Sequence, residues 1–150
     1  MNGILKGLRV IEGSAFIAAP SAGMTLAQMG AEVIRFDPLG GGLDYRRWPV
    51  TANGESIYWA GLNKAKKSFA VDIRNPRGRE LLTQLICMPG ENNGIFLTNF
   101  PTSGWMSYET MKGRRDDLIM LNIKGNRDGS SEVDYTVNPA TGFPNLTGPV

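Results

Sequence analysis

Residues 61–68, GLNKAKKS, set Lys64, Lys66 and Lys67 just ahead of an apolar run, FAVDI, that closes at Arg74. A phosphate-cradling P-loop reads G-x-x-x-x-G-K-[ST]. Gly61, Lys67 and Ser68 fit that pattern, but Lys66 stands where the second glycine belongs. The motif is therefore incomplete, and what remains is a cluster of cations bracketing one predicted strand. A solvated basic face gives the same pattern. A second candidate is the loop LGGGLDYRRWP at 39–49, whose glycine amides could approach an anion beside Arg46 and Arg47. Trp48 there offers a face for stacking, although a flexible loop with solvated charges reads the same way. The turn EGSAFIAAP at 12–20 lacks the G-x-G-x-x-G of dinucleotide-binding folds, which leaves Asp37 as weak support for a ribose-binding acid. The chain has no histidine, so Ser-His-Asp triads, Cys-His pairs and the usual zinc sites are excluded. Any nucleophile or proton carrier must be a carboxylate, lysine or hydroxyl, and no metal site is expected.

Alternating strand and helix signals would position these groups. Strands are predicted at 8–13, 31–36, 68–73, 94–100 and 117–123. Pro20 suits a first helical turn and Gly30 a helix end, with Met24, Leu26, Ala27 and Met29 as the apolar face. A short helix is expected around SIYWAGLNKAK. Asn75 and Pro76 can start another, with Leu81, Leu82, Leu85 and Ile86 on one side. Ser107 can cap a third, short helix. Several strands are continuous apolar runs, as expected of strands buried on both faces of a parallel sheet. The expected fold is α/β: a doubly wound, mainly parallel, Rossmann-like sheet over 1–123. Residues 124–150 are expected to be an irregular segment leading toward a missing remainder. Ligands of such sheets sit beyond the carboxyl ends of the strands. There the sequence places residues 13–18, Asp37, Arg74, Asn99-Phe100 and Lys124, a set suited to a nucleotide-like ligand with several phosphates. The three lysines precede their strand, which leaves open which end they reach.

The balance of 41% apolar and 20% charged residues in 150 is that of one globular domain. A net charge of +2 argues against nucleic-acid binding. No apolar run approaches a membrane span, so neither nucleic acid nor membrane is an expected partner, and a cytoplasmic location is expected. The single cysteine, Cys87, reads as a small buried hydrophobe.

The blocks GAEVIRFDPLGGGLDYRRWP, NKAKKSFAVDIRNPRGRELLTQLI and TNF resemble the class III CoA-transferases. The likeness runs along essentially the whole chain but covers only the N-terminal portion of such an enzyme. It implies an N-terminal CoA-binding domain of an interlocked homodimer, with CoA or acyl-CoA as substrate and no permanently bound cofactor. It further implies CoA contacts at positions matching Phe16, Ile17 and Ala18; Val71, Asp72, Ile73 and Arg74; and Asn99, Phe100 and Pro101. Trp48 matches an active-site tryptophan on the acyl side. The strongest likeness within the family implies transfer of CoA between the two carboxyls of mesaconate, through an aspartyl anhydride. The aspartate nucleophile is expected after residue 150, so this chain alone is expected to be inactive. Formyl-CoA transferases carry a glutamine at the position of Ile17 and an arginine at that of Pro38, which argues against formate or oxalate as substrate. The alternatives are a non-catalytic CoA- or nucleotide-binding module and an intermolecular transferase of the formyl-CoA or succinyl-CoA type.

Overall fold

The computed structural model describes residues 3–130 and 132–148. Five strands, β1 (Arg9–Gly13), β2 (Glu32–Asp37), β3 (Lys67–Ala70), β4 (Ile95–Thr98) and β5 (Ile119–Asn122), form one sheet of order 3-2-1-4-5. Every pairing is parallel. The helices are α1 (Ala18–Gln28), α2 (Ile57–Leu62), α3 (Pro76–Ile86), α4 (Tyr108–Lys112), α5 (Asp134–Ala140) and α6 (Phe143–Leu146). The chain winds outward from β1 to β3, then returns across the sheet to β4 on the other side of β1. The carboxyl ends of β1 and β4 therefore frame the topological switch point.

Period-two alternation sends the central strands' side chains to two cores. One face gathers Ile11, Phe36, Val71 and Phe96 against Leu82 and Ile86 of α3 and Met111 of α4. The other gathers Val10, Val33 and Leu97 against Ala19 and the partly buried Ala22, Leu26 and Ala27 of α1. Glu12, Arg35 and Asp37 share this second face by parity, so α1 covers an apolar half and a charged half.

The helix starts follow their sequence signals. The Asn75 side chain accepts from Arg77 N at 2.9 Å with Pro76 at the first helical position. The Ser107 hydroxyl accepts from Thr110 N at 3.2 Å to start α4. Gly30, just past the end of α1, has a φ of +107°, a left-handed geometry that glycine adopts without a Cβ penalty. The faces of the helices differ in part from the expectation. On α3 the buried line is Gly78, Leu82 and Ile86, spaced by four, with Thr83 beside it, while Leu81 is 49% exposed. Met29 likewise lies at the surface.

The strands are shorter than expected, and burial on both faces holds for the centre of the sheet only. β3 and β5 are edge strands, and Ile119 and Leu121 are exposed on the α1 side. The register places them beside Ile95 and Leu97, where no helix of the described residues covers them. Within 124–150, where no regular element was expected, the described residues form α5 and α6. Pro139 sits inside α5, and Val133, Tyr135, Phe143 and Leu146 are exposed. Among the described residues no helix is long and apolar enough to cross a membrane.

Candidate functional site

The turn from β1 into α1 lies at the switch point. Phe16 has a φ of +63°, a conformation that a residue with a Cβ holds only when its surroundings impose it. Two contacts impose it here. Asp44 Oδ2 accepts from Phe16 N at 3.1 Å. The Asn99 side chain accepts from Ala15 N at 2.9 Å and donates to Ala15 O at 2.8 Å. The result is an exposed shelf of Phe16, Ile17 and Ala18 at the amino end of α1. Ile17 provides no side-chain cap there.

Beneath the shelf lies a buried ionic network that sequence reasoning missed. All five Arg35 N–H donors are used. Nε and Nη2 grip Asp37 at 2.9 and 3.0 Å, Nη2 also reaches Asp44 Oδ1 at 3.2 Å, and Nη1 serves Ser14 and Asn63. The guanidinium also lies 5.6 Å from the centre of the Trp59 ring. Lys66 Nζ fills its three donor positions with Glu12 Oε1, Pro20 O and Asn63 Oδ1, at 2.8, 2.7 and 2.9 Å. Glu12 and Arg35 are neighbours in the β1–β2 register. The signal was present in the sequence: two opposite charges at the same parity in central strands, where a buried charge requires a partner.

The electrostatics follow from burial. Desolvation raises the Glu12 carboxyl above its usual range, against the opposing pull of Lys66, Ser14 and Arg35. Its Oε2 is buried with no hydrogen-bond partner. Burial also pulls the Lys66 ammonium down, opposed chiefly by Glu12. Burial pulls on Arg35 too, but the Asp37 and Asp44 carboxylates outweigh it and its pKa is raised.

This network answers the question of the lysines. Lys66 is locked inside, and Lys67 pairs with Glu32 at the amino end of β2. Lys64 alone of the three is exposed with no ion-pair partner among the described residues. Asp37, the candidate ribose-binding acid, is held by Arg35 at both oxygens and buried.

The other expected residues divide into framework and surface. Asn99 spends its amide on the turn. Val71, Ile73 and Phe100 pack in or against the α3-side core, and Phe100 meets Phe36 edge to face. Asp72 and Arg74 lie past the end of β3. The Arg74 side chain is 92% exposed, with its Nε 3.1 Å from Asp72 Oδ1. Pro101 is exposed. Trp48, 80% exposed, stands in the long connection that Asp44 ties down. Ser56 caps α2 by accepting from Trp59 N and donates to Arg47 O, closing that connection. Cys87 packs partly buried against the α3-side core, and burial raises its thiol pKa.

A cleft of about 540 Å³ at the opposite end of the sheet is lined by Cys87, Lys112, Arg114 and Arg115 among others. Its arginines are already committed, and Lys112 lies over the Tyr108 ring. Arg114 pairs with Glu80, and Arg115 spans Asp117 and the carbonyls of Met88 and Gly90. The carboxyl end of the sheet is the stronger candidate.

The sequence model of CoA-transferase family III matches residues 5–149. The chain belongs to this family. It is 70% identical, over its whole length, to 2-methylfumaryl-CoA isomerase of Chloroflexus aurantiacus, of which it covers 37%. It is 32% identical to succinate–glutarate CoA-transferase of Agrobacterium fabrum over 96% of this chain and 39% of that protein. Among solved structures, a CaiB/BaiF family protein from Brucella suis superposes with a TM-score of 0.85 at 29% identity, over 99% of this chain and 42% of that one. The chain therefore spans about two-fifths of the length of these family III relatives, and its α/β fold is that of the Brucella suis protein over the matched part.

Proposed function

We propose that this chain is the CoA-binding portion of a CoA-transferase whose whole form isomerises 2-methylfumaryl-CoA (mesaconyl-CoA). The observation that carries this reading is the 70% identity along the full chain to an enzyme of that name. In the proposed arrangement CoA lies across the carboxyl end of the sheet. It meets the Phe16–Ile17–Ala18 shelf, the surface from Val71 to Arg74, and the stretch Asn99-Phe100-Pro101, with Trp48 toward the acyl group. Three features support the placement: the exposed shelf at the switch point, the free amino end of α1, which favours anions, and the exposed Arg74.

The chemistry proposed for the whole protein is nucleophilic. A carboxylate outside this chain attacks the thioester and releases CoA thiolate, leaving a mixed anhydride. The thiolate attacks the enzyme-side carbonyl of the anhydride, giving an enzyme thioester and the free dicarboxylate. The other carboxylate attacks that thioester, expelling the thiolate and forming a second anhydride. The thiolate then attacks its acyl carbon, which frees the enzyme carboxylate and leaves CoA on the other carboxyl. The chain described here positions CoA and supplies no nucleophile. The whole protein is proposed to be a cytoplasmic homodimer. An intermolecular transferase is the second reading, favoured by the likeness to succinate–glutarate CoA-transferase.

Isothermal titration of this chain with CoA tests the proposal. Binding of CoA, with weaker binding of dephospho-CoA, is expected, along with no turnover of mesaconyl-CoA. Absence of CoA binding at millimolar concentration would overturn the reading of this domain. Turnover by the chain alone would overturn the assignment of the nucleophile elsewhere.

A further inference from the structure

Arg47 differs from the other cations near the shelf. Its guanidinium carbon lies 5.2 Å from the centre of the Phe16 ring and 4.8 Å from that of Tyr58. Its backbone is fixed on both sides: the N–H donates to Asp44 O at 3.1 Å, and the carbonyl accepts from Ser56 Oγ. Yet among the described residues no carboxylate pairs with it. The nearest acid in sequence, Asp44, is spent on Arg35 and the Phe16 amide. Arg35 and Arg74, by contrast, have acidic partners, and of the cations nearby that lack one among the described residues, Arg46, Lys64 and Arg47, Arg47 is the one held against aromatic rings.

Two aromatic rings against a guanidinium restrain it, which lowers the cost of holding it for a charge-assisted bond. The Tyr58 hydroxyl, on one of those rings, is also buried with no hydrogen-bond partner. Burial raises the Tyr58 pKa, with Arg47 opposing, so at neutral pH the phenol is an uncharged donor.

We infer that Arg47 binds a free carboxylate on the acyl group. It would thereby select acyl-CoAs that carry a second, unesterified carboxyl over monocarboxylic ones. This rests on the reading that CoA lies across the shelf. The planar fork matches a carboxylate with two parallel bonds. The exposed neighbours Ile17 and Trp48 are apolar, which suits a short hydrocarbon acyl chain better than a phosphate.

Two measurements test the inference. In the first, the chain is titrated with succinyl-CoA, butyryl-CoA and CoA. The wild type should bind succinyl-CoA about tenfold more tightly than butyryl-CoA, the size of one partly exposed charge-assisted contact. Arg47→Gln should abolish the preference and leave CoA affinity within about twofold. Arg47→Lys, which keeps the charge but loses the fork, should keep only part of it. Equal affinities in the wild type, or a preference that survives Arg47→Gln, would overturn the inference. So would an equal loss of CoA affinity, which would assign Arg47 to a CoA phosphate.

In the second, arginine Nε–H resonances are followed by NMR with sodium succinate and with phosphate at matched ionic strength. A saturable shift of the Arg47 signal with succinate but not phosphate is expected. No shift, or an equal shift with phosphate, would overturn the inference. This readout needs no CoA. If CoA failed to bind, the family reading of the shelf would fall while Arg47 was still decided.

Discussion

Replacing Lys66 by methionine keeps the length of the side chain and removes the cation that holds Glu12 at 2.8 Å. Glu12 would then be buried with one oxygen bonded to Ser14 and the other without a partner. Its nearest remaining cation would be Arg35 at 3.8 Å. The carboxyl can escape this only by taking up a proton. Holding that proton costs about 1.4 kcal/mol for each pH unit above its ordinary value. From the ordinary 4.5 to pH 7 the cost is about 3.4 kcal/mol, and to pH 5.5 about 1.4 kcal/mol. Loss of the bonds to Pro20 O and Asn63 Oδ1 adds roughly 1 kcal/mol, independent of pH. Urea unfolding should therefore show Lys66→Met destabilised by about 4 kcal/mol at pH 7 and by about 2 kcal/mol less at pH 5.5. The sign follows from linkage. A carboxyl whose folded pKa is raised holds a proton that the unfolded chain has released. Its contribution is complete below about 4.5 and declines as pH rises toward the folded value. Adding Glu12→Gln should flatten the pH dependence, and Lys64→Met should change stability by under about 0.5 kcal/mol. A Lys66→Met penalty below about 1 kcal/mol, or one equal at both pH values, would refute the buried-pair reasoning.

Asn99→Ala should cost about 2 kcal/mol in thermal or urea unfolding, because it leaves the buried Ala15 N–H unsatisfied, and it should weaken CoA binding in the same preparation. Asn99→Asp should do no better, since a carboxylate accepts from Ala15 N but repels Ala15 O. Gly23→Ala should destabilise by about 1–3 kcal/mol, because a Cβ there would stand 1.7 Å from Glu12 Oε2. The helix-propensity gain of about 1 kcal/mol is too small to offset that clash. An unchanged urea midpoint would show that Glu12 can move aside.

Periodicity and punctuation made the frame of the fold legible. Asn75-Pro76, Ser107 and Gly30 mark helix ends because capping is local chemistry, and the apolar runs mark strands. Position within the sheet was not legible. Leu121 and Leu97 are alike in sequence, and only the strand order leaves Leu121 uncovered while Leu97 is buried. Leu81 fell outside the core because the line through Gly78 faces the sheet. A glycine carries no hydrophobic signal although it permits the closest approach. At the site, the exposed positions came from resemblance, whereas the groups fixing them sit in separate segments that the pairing of β1 with β2 and β4, and of β2 with β3, brings together.

That separation matters for how the site works. Arg35 and Lys66 spend every donor on groups inside the network, so they have none left to offer a ligand. Their effect on binding passes through geometry: Asp44 fixes the Phe16 amide and the loop carrying Arg47 and Trp48, and Asn99 fixes Ala15. Charge that touches a ligand must come from outside the network, and Arg47 and Arg74 are the candidates near the shelf. Mutations in the two layers should differ accordingly. Changes to Lys66 or Asn99 should lower stability and binding together, since a misplaced shelf loses every contact at once. Changes to Arg47 should leave the unfolding midpoint near wild type while altering which acyl-CoA is preferred. If Arg47→Gln lowered stability as much as Asn99→Ala does, the two-layer division would be wrong and Arg47 would belong to the framework.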